Sequence, residues 1–282
     1  MARKSLQAVI KAIEKANTVV PVEQQFINDL RRSIELTNNK EARQPSVTYS
    51  PSGMSCIRAM YYKRSGMTSE FDSNYSLIGI CEAGTDRHAR IQTAISKMKD
   101  NGFDCEYIDV AEFVKSRGLD EYLDIVEKCG NETKLFDRNL HISFLCDGII
   151  RYLGKYYIVE FKTEQAYKWQ TRKGVDPKHY NQAITYSAEL KLDDVLFVYI
   201  NRDIVDYKAF IFNVKPSDRE RVLTLINTCE EYVVKNELPP IPEDMNEKKC
   251  AYCNYKEFCK RDYNGEQSIQ EEKETPKQGQ II

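Results

Sequence analysis

The feature that most narrows the fold is a change of apolar period partway along the chain. Over residues 77–98 apolar side chains recur every three or four positions, the mark of a helix with one buried face. From residue 140 the period falls to two, and residues 140–150 and 156–163 read as strands joined by a short turn at Leu153-Gly154-Lys155. A helix over 177–191, a strand pair at 195–200 and 207–214, and a helix over about 217–235 follow, the last stopped by Pro239-Pro240. The order helix, strand, strand, helix, strand, strand predicts an α/β fold, a mixed central sheet flanked by helices.

The remaining segments attach to this core. Leu6, Val9, Ile10 and Ile13 keep helical spacing, as do Phe26 or Ile27, Leu30 and Ile34, with Pro21 between them. Residues 1–49 therefore read as a helical extension that ends in a loop over 38–54. Residues 50–240 form the core, with an acidic insertion at 100–137 that holds short helices near 110–114 and 122–126. Residues 241–263 are Cys-rich, and the polar residues 264–282 are expected to be disordered.

Composition limits the setting. The 282 residues are 41% hydrophobic and 30% charged, an ordinary soluble globular balance. There is no apolar run near the roughly 18 residues of a membrane span and no signal-peptide core, so a cytoplasmic, reducing compartment is expected. The net charge of −2 argues against binding nucleic acid by bulk positive charge, yet it is unevenly spread. Residues 1–43, 56–99 and 162–179 each carry +3, whereas residues 100–137 carry −7.

Alternation in the 156–163 strand puts Tyr156, Ile158, Glu160 and Lys162 on one face. Burying that carboxylate and ammonium is costly unless they are paired or hold a metal. Asp147, near the end of the preceding strand, can be brought beside Glu160 by a hairpin. Two carboxylates and a lysine suit a hard cation such as Mg²⁺, which polarises phosphate and activates water while Lys162 orients that water. On the 77–98 helix, His88 shares the inward stripe with Gly84 and adds a nitrogen donor that tilts preference towards Mn²⁺. Gln182 and Tyr186, four apart on the later helix, share a face. Taken singly, these residues also fit a solvent-facing strand, a core histidine and an ordinary helix boundary.

In this order the residues resemble the RecB-type branch of the PD-(D/E)xK nucleases. The family's Gly-x-x-x-His matches Gly84-Thr85-Asp86-Arg87-His88, and its metal aspartate falls on Asp147. Its (Asp/Glu)-x-Lys-Thr motif falls on Glu160-Phe161-Lys162-Thr163, and its Gln-x-x-x-Tyr on Gln182-Ala183-Ile184-Thr185-Tyr186. One position departs: the family usually has Gly three residues before the aspartate, and here it is Phe144. The resemblance implies a restriction-endonuclease-like fold and a metal-dependent DNA exonuclease acting on single strands or ends. Asp147, Glu160, His88 and the Phe161 carbonyl would hold Mn²⁺ or Mg²⁺, and Lys162, Gln182 and Tyr186 would serve catalysis. A non-cleaving DNA-binding or scaffold subunit is the alternative.

The run Cys250-x2-Cys253-x5-Cys259 supplies three thiols, and Cys56 far upstream is the candidate fourth. Spacing alone fits either an iron–sulfur cluster or zinc. Cys56 and this run resemble the iron–sulfur staple of AddB-type subunits and of CRISPR-associated RecB-like exonucleases, which implies a [4Fe–4S] cluster. Cys81, Cys105, Cys129, Cys146 and Cys229 are expected to be small buried hydrophobes. Arg58, Lys63, Arg64, Arg87, Arg90, Lys168, Arg172 and Lys173 are the expected contacts along a DNA backbone, with Trp169 and Tyr167 stacking a base or strand end. Protein partners in a repair, recombination or adaptation complex are expected, and no membrane.

Overall fold

The computed structural model describes residues 20–42, 46–69, 72–243 and 250–262. The helix expected around Leu6–Ile13 and the polar tail lie outside the described residues. The chain divides into two compact units. The smaller contains α1 (Val22–Ala42) and residues 72–79. Asn39 exchanges hydrogen bonds with the backbone of Ser73 (2.9 and 3.0 Å), and Glu35 accepts from Tyr75 N. Helix α1 runs on to residue 42, so the expected loop starts later. Among the described residues, Phe26, Ile27 and Leu30 of the expected inward stripe are exposed, Phe26 at 63%.

The larger unit holds α2 (Ile57–Arg64), most of α3 (Tyr75–Ser96), α4 (Val110–Ser116), α5 (Ala166–Thr171), α6 (Tyr180–Leu190) and α7 (Pro216–Lys235). Its strands are β1 (Cys105–Ile108), β2 (Leu123–Cys129), β3 (Glu132–Asp137), β4 (Ile142–Cys146), β5 (Gly148–Tyr152), β6 (Lys155–Glu164), β7 (Asp194–Asn201) and β8 (Tyr207–Asn213). The central sheet has the order β1-β5-β6-β7-β8, and β2-β3-β4 make a second sheet. Only β6 and β7 pair in parallel in the central sheet, joined by a crossover through α5 and α6. The fold is therefore mixed α/β, with helices on the central sheet.

Two sequence expectations are corrected. Residues 122–126 are not helical: Leu123 begins β2, where alternating Leu123 and Ile125 face the core. The acidic stretch 100–137 holds one α-helix and a short 3-10 helix (Leu119–Glu121), but also β1, an edge of the central sheet, and two strands of the second sheet. Three of its acids are paired locally: Glu106 with Lys99 and Arg151, Asp109 with Lys128 and Asp124 with Arg138. The expected strand 140–150 is broken at Asp147, with β4 in one sheet and β5 in the other.

Local chemistry explains the elements that carry the site. Between β5 and β6, Leu153 (φ 49°) and Gly154 (φ 78°) both take the left-handed region, the signature of a two-residue hairpin whose twist matches the strands. Helix α7 starts with Pro216 in its first turn, and the Asp218 carboxylate accepts from Lys215 N at 3.0 Å. One core layer packs Ile158, Phe197 and Tyr199 of the sheet against Ile184 of α6 and Ile226 of α7. The other packs Val159, Phe161 and Ile200 under Ile91 and Ile95 of α3. Alternation along β6 thus sends Glu160 towards α6 and Phe161 towards α3. Among the described residues, no helix is long and apolar enough to cross a membrane.

Candidate active site

Glu160 lies in the middle of β6 and is 3% exposed. Its Oε1 accepts from Lys162 Nζ at 2.5 Å and from Gln182 Nε2 at 2.7 Å. Lys162 Nζ also donates to Gln182 Oε1 (3.1 Å), so the three side chains form a closed triangle. Gln182 donates to Tyr186 Oη at 3.0 Å, and Tyr186 donates to the Leu145 carbonyl at 3.1 Å. Tyr186 is therefore buried, with its hydroxyl engaged by Gln182 and the Leu145 carbonyl. Glu160 Oε2 is buried and has no hydrogen-bond partner.

Asp147 sits at the break between the two sheets. Its Oδ2 accepts from Phe161 N at 2.8 Å and lies 3.8 Å from His88 Nδ1. The backbone carbonyl of Asp147 accepts from Gln92 Nε2 (3.0 Å) and from the Tyr107 hydroxyl. Gly148 makes that approach possible, because a Cβ there would fall 2.0 Å from Tyr107 Oη. His88 is carried by α3, which lies directly over β6: a Cβ on Gly84 would rest 3.4 Å from Thr163 Oγ1. The His88 ring packs on Phe161 with centroids 5.7 Å apart. Phe144, at the position where the resemblance expects Gly, stacks on Tyr186 (5.4 Å) and fills the core.

The electrostatics are those of a crowded acid site. Burial, and then the neighbouring Asp147 charge, push Glu160 up to about 8, more than Lys162 pulls it down. Burial likewise raises Asp147 to about 7 against the Phe161 N–H and Lys162, with Glu132 adding to the rise. The ion pair of Glu160 with Lys162 therefore does not repay desolvation by itself. Burial lowers His88, keeping the imidazole neutral and able to donate a lone pair. Glu132 is the residue that sequence reasoning missed. One donor atom each from His88, Glu132 and Asp147 lie within 4.8 Å of one another.

The candidate thiols lie near enough to act on one another electrostatically, but among the described residues the close group of three donors is His88, Glu132 and Asp147, not the cysteines. Burial raises Cys56, offset by the N–H groups of Arg58 and Ala59 at the start of α2 and reinforced by Cys259 and Cys250. Cys253 is raised by burial and then by Cys56, Cys250 and Cys259 among its neighbours. Arg58, 1% exposed, donates Nε to the Pro239 carbonyl (2.7 Å) and directs Nη1 at Cys259 Sγ (3.9 Å). Tyr62 of α2 donates to Asp262 at 2.5 Å and packs on Tyr255 and Phe258. Of the remaining cysteines, Cys105, Cys146 and Cys229 are buried as expected, Cys81 is exposed, and the Cys129 side chain lies outside the described residues.

The expected DNA contacts divide sharply. Arg58 is buried beside the thiols. Trp169 is buried with its indole N–H on the Tyr199 carbonyl (2.9 Å), so it cannot stack on a base. Arg172 is bidentate on Glu164 and also meets Asp176, and Lys168 pairs with the same two acids. Arg64 pairs with Glu230, and Lys63, partly buried, donates to Ser50. Lys173 is exposed, and Tyr167 is 80% exposed. Arg87 and Arg90 line a cleft of about 340 Å³ with Ile200, Val205 and Tyr207. A basic stretch reports charge in sequence, whereas in space Glu164 and Asp176 pair with Lys168 and Arg172.

No protein-family model and no curated protein matches the chain. Among solved structures, one titled "Crystal structure of SSO0001" is similar over 82% of this chain and 94% of that chain, at 16% identity. Its TM-score is 0.40, a level of likeness that leaves the functional reading to the residues above.

Proposed function

We propose that the chain is a Mg²⁺- or Mn²⁺-dependent deoxyribonuclease with a restriction-endonuclease-like core of the RecB type. It hydrolyses phosphodiester bonds as an exonuclease, on single-stranded DNA or DNA ends, in recombination, repair or CRISPR-type processing. The observation that carries this reading is Glu160: one oxygen clamps Lys162 and Gln182, and the other is buried without a partner beside Asp147. An orphaned carboxylate oxygen, a second buried carboxylate and a neutral imidazole fit a divalent cation. His88, Asp147, Glu160 and the Phe161 carbonyl would hold it. Bound there, the cation supplies Lewis-acid polarisation of phosphate and lowers the pKa of water.

The chain's own groups do the rest. Lys162, fixed by two acceptors, would lie beside the place where charge develops on a phosphate and orient the attacking water. Gln182 holds both Lys162 and Glu160, and Tyr186 holds Gln182. The Cys56, Cys250, Cys253 and Cys259 thiols would bind a [4Fe–4S] cluster, with zinc the competing metal. Buried Arg58 offsets the negative charge of such a site.

End-labelled single- and double-stranded DNA, incubated with anaerobically purified protein and Mn²⁺ or Mg²⁺, tests the proposal. Wild type is expected to cut, and Lys162→Ala and Glu160→Ala to lose at least about a hundredfold in rate. A wild type that binds DNA yet cuts under neither metal would overturn the nuclease reading in favour of a non-cleaving subunit.

A further inference from the structure

Glu132 opens β3, on the second sheet, in the stretch that looked in sequence like an acidic insertion. The β3–β4 ladder ends at the Thr133–Cys146 rung, and Glu132 and Asp147 are the residues that adjoin it on the two chains. Gln92, buried one turn beyond His88 on α3, donates Nε2 both to Glu132 Oε1 (3.2 Å) and to the Asp147 carbonyl (3.0 Å). A single amide thus holds the acid of one sheet against the aspartate at the junction of both. Glu132, Asp147 and His88 each bring a donor atom within the same 4.8 Å. Independently, Glu160 Oε2 is buried and unpartnered, on a carboxylate that Asp147 and His88 both influence.

We propose that Glu132 is a ligand of the divalent cation, a third carboxylate supplied by the second sheet. The inference rests on the metal-dependent reading above and deepens it. Three carboxylates with one imidazole form an oxygen-rich, flexible donor set. Such a set suits six-coordinate Mn²⁺ or Mg²⁺ and disfavours the closed tetrahedral arrangement of structural zinc. It also gives β2–β3–β4 a role at the active site, since the sheet delivers one ligand and fixes the backbone of another.

Titration of the full-length protein with Mn²⁺, without DNA, followed by loss of the free-ion electron paramagnetic resonance signal, tests the assignment. Wild type is expected to bind, and Glu132→Gln to bind at least about tenfold more weakly. The Gln side chain keeps an acceptor for Gln92, so thermal unfolding without metal should match wild type. Glu132→Asp keeps the charge but withdraws the oxygen by one methylene, and it should fall between the two. Wild-type affinity in Glu132→Gln would remove Glu132 from the metal while leaving the nuclease reading intact. Full affinity in Glu132→Asp would reduce Glu132 to a distant charge and overturn ligation. Absence of any Mn²⁺ binding by wild type would overturn both readings.

Discussion

At the scale of single residues, buried carboxylates away from the site respond to pH in a way that can be signed in advance. Glu189 of α6 is 2% exposed, and its Oε2 has no partner. Burial, followed by the nearby Asp137, raises Glu189 from an ordinary value of 4.5 to about 9. Asp137 is committed as an acceptor of Asn139 N (2.6 Å) and Leu140 N (3.0 Å), so the proton belongs on Glu189. The folded chain keeps this proton where the unfolded chain releases it. This contribution to stability is therefore fully present below about 4.5 and is lost as pH rises towards about 9. Glu189→Gln cannot ionise. Urea denaturation should show it more stable than wild type by roughly 1–3 kcal/mol at pH 8, with little difference at pH 5. An unchanged pH slope would show that Glu189 already ionises in the fold.

At the scale of elements, the link between β6 and α6 is held by charge turned inward. Arg172, with its side chain 8% exposed, lies over the Tyr199 ring at 4.1 Å while gripping Glu164, whose side chain is 5% exposed. Removing Arg172 leaves a buried carboxylate without its main partner, which typically costs about 3–5 kcal/mol. Arg172→Ala should therefore lower the unfolding temperature by many degrees. Lys173→Ala, one residue on and exposed, should leave stability within about 0.5 kcal/mol. If DNA follows this edge, Lys173→Ala weakens binding and lessens its salt dependence. Comparable destabilisation by both variants, measured by calorimetry, would contradict the assignment of Arg172 to the fold.

At the scale of the whole larger unit, the thiol site joins α2 near one end of the described core to the segment 250–262 at the other. About 190 residues separate Cys56 from Cys250, and a metal bridging so long a loop removes much chain entropy from the unfolded state. If the thiols hold the proposed cluster, anaerobically purified protein is brown and contains iron, and Cys259→Ser should abolish both and lower the unfolding temperature. A colourless wild type with bound zinc would replace the cluster by zinc and keep the stapling role. The near-zero net charge also looks different in three dimensions. Some of the acids in the stretch 100–137 pair with nearby bases, Glu106 with Lys99, Asp109 with Lys128 and Asp124 with Arg138, while Arg90 and Lys173 are exposed.

The sequence by itself determined the elements whose period is strong: α3, the β5–β6 hairpin, β7, β8 and α7. It also determined that Glu160 and Lys162 share a face, because side-chain direction along a helix or strand is set by local geometry. Spacing likewise placed His88 on the inward stripe of α3, and Gln182 with Tyr186 on one face of α6. Tertiary structure decided what depends on pairings distant in sequence. It split the 140–150 run between two sheets at Asp147, placed strands in the acidic insertion and brought Glu132 near Asp147. It also buried Arg58, Trp169 and Arg172, which composition had cast as DNA contacts. Burial and partner choice are sums over neighbours from many segments, and no local pattern of residues contains those sums.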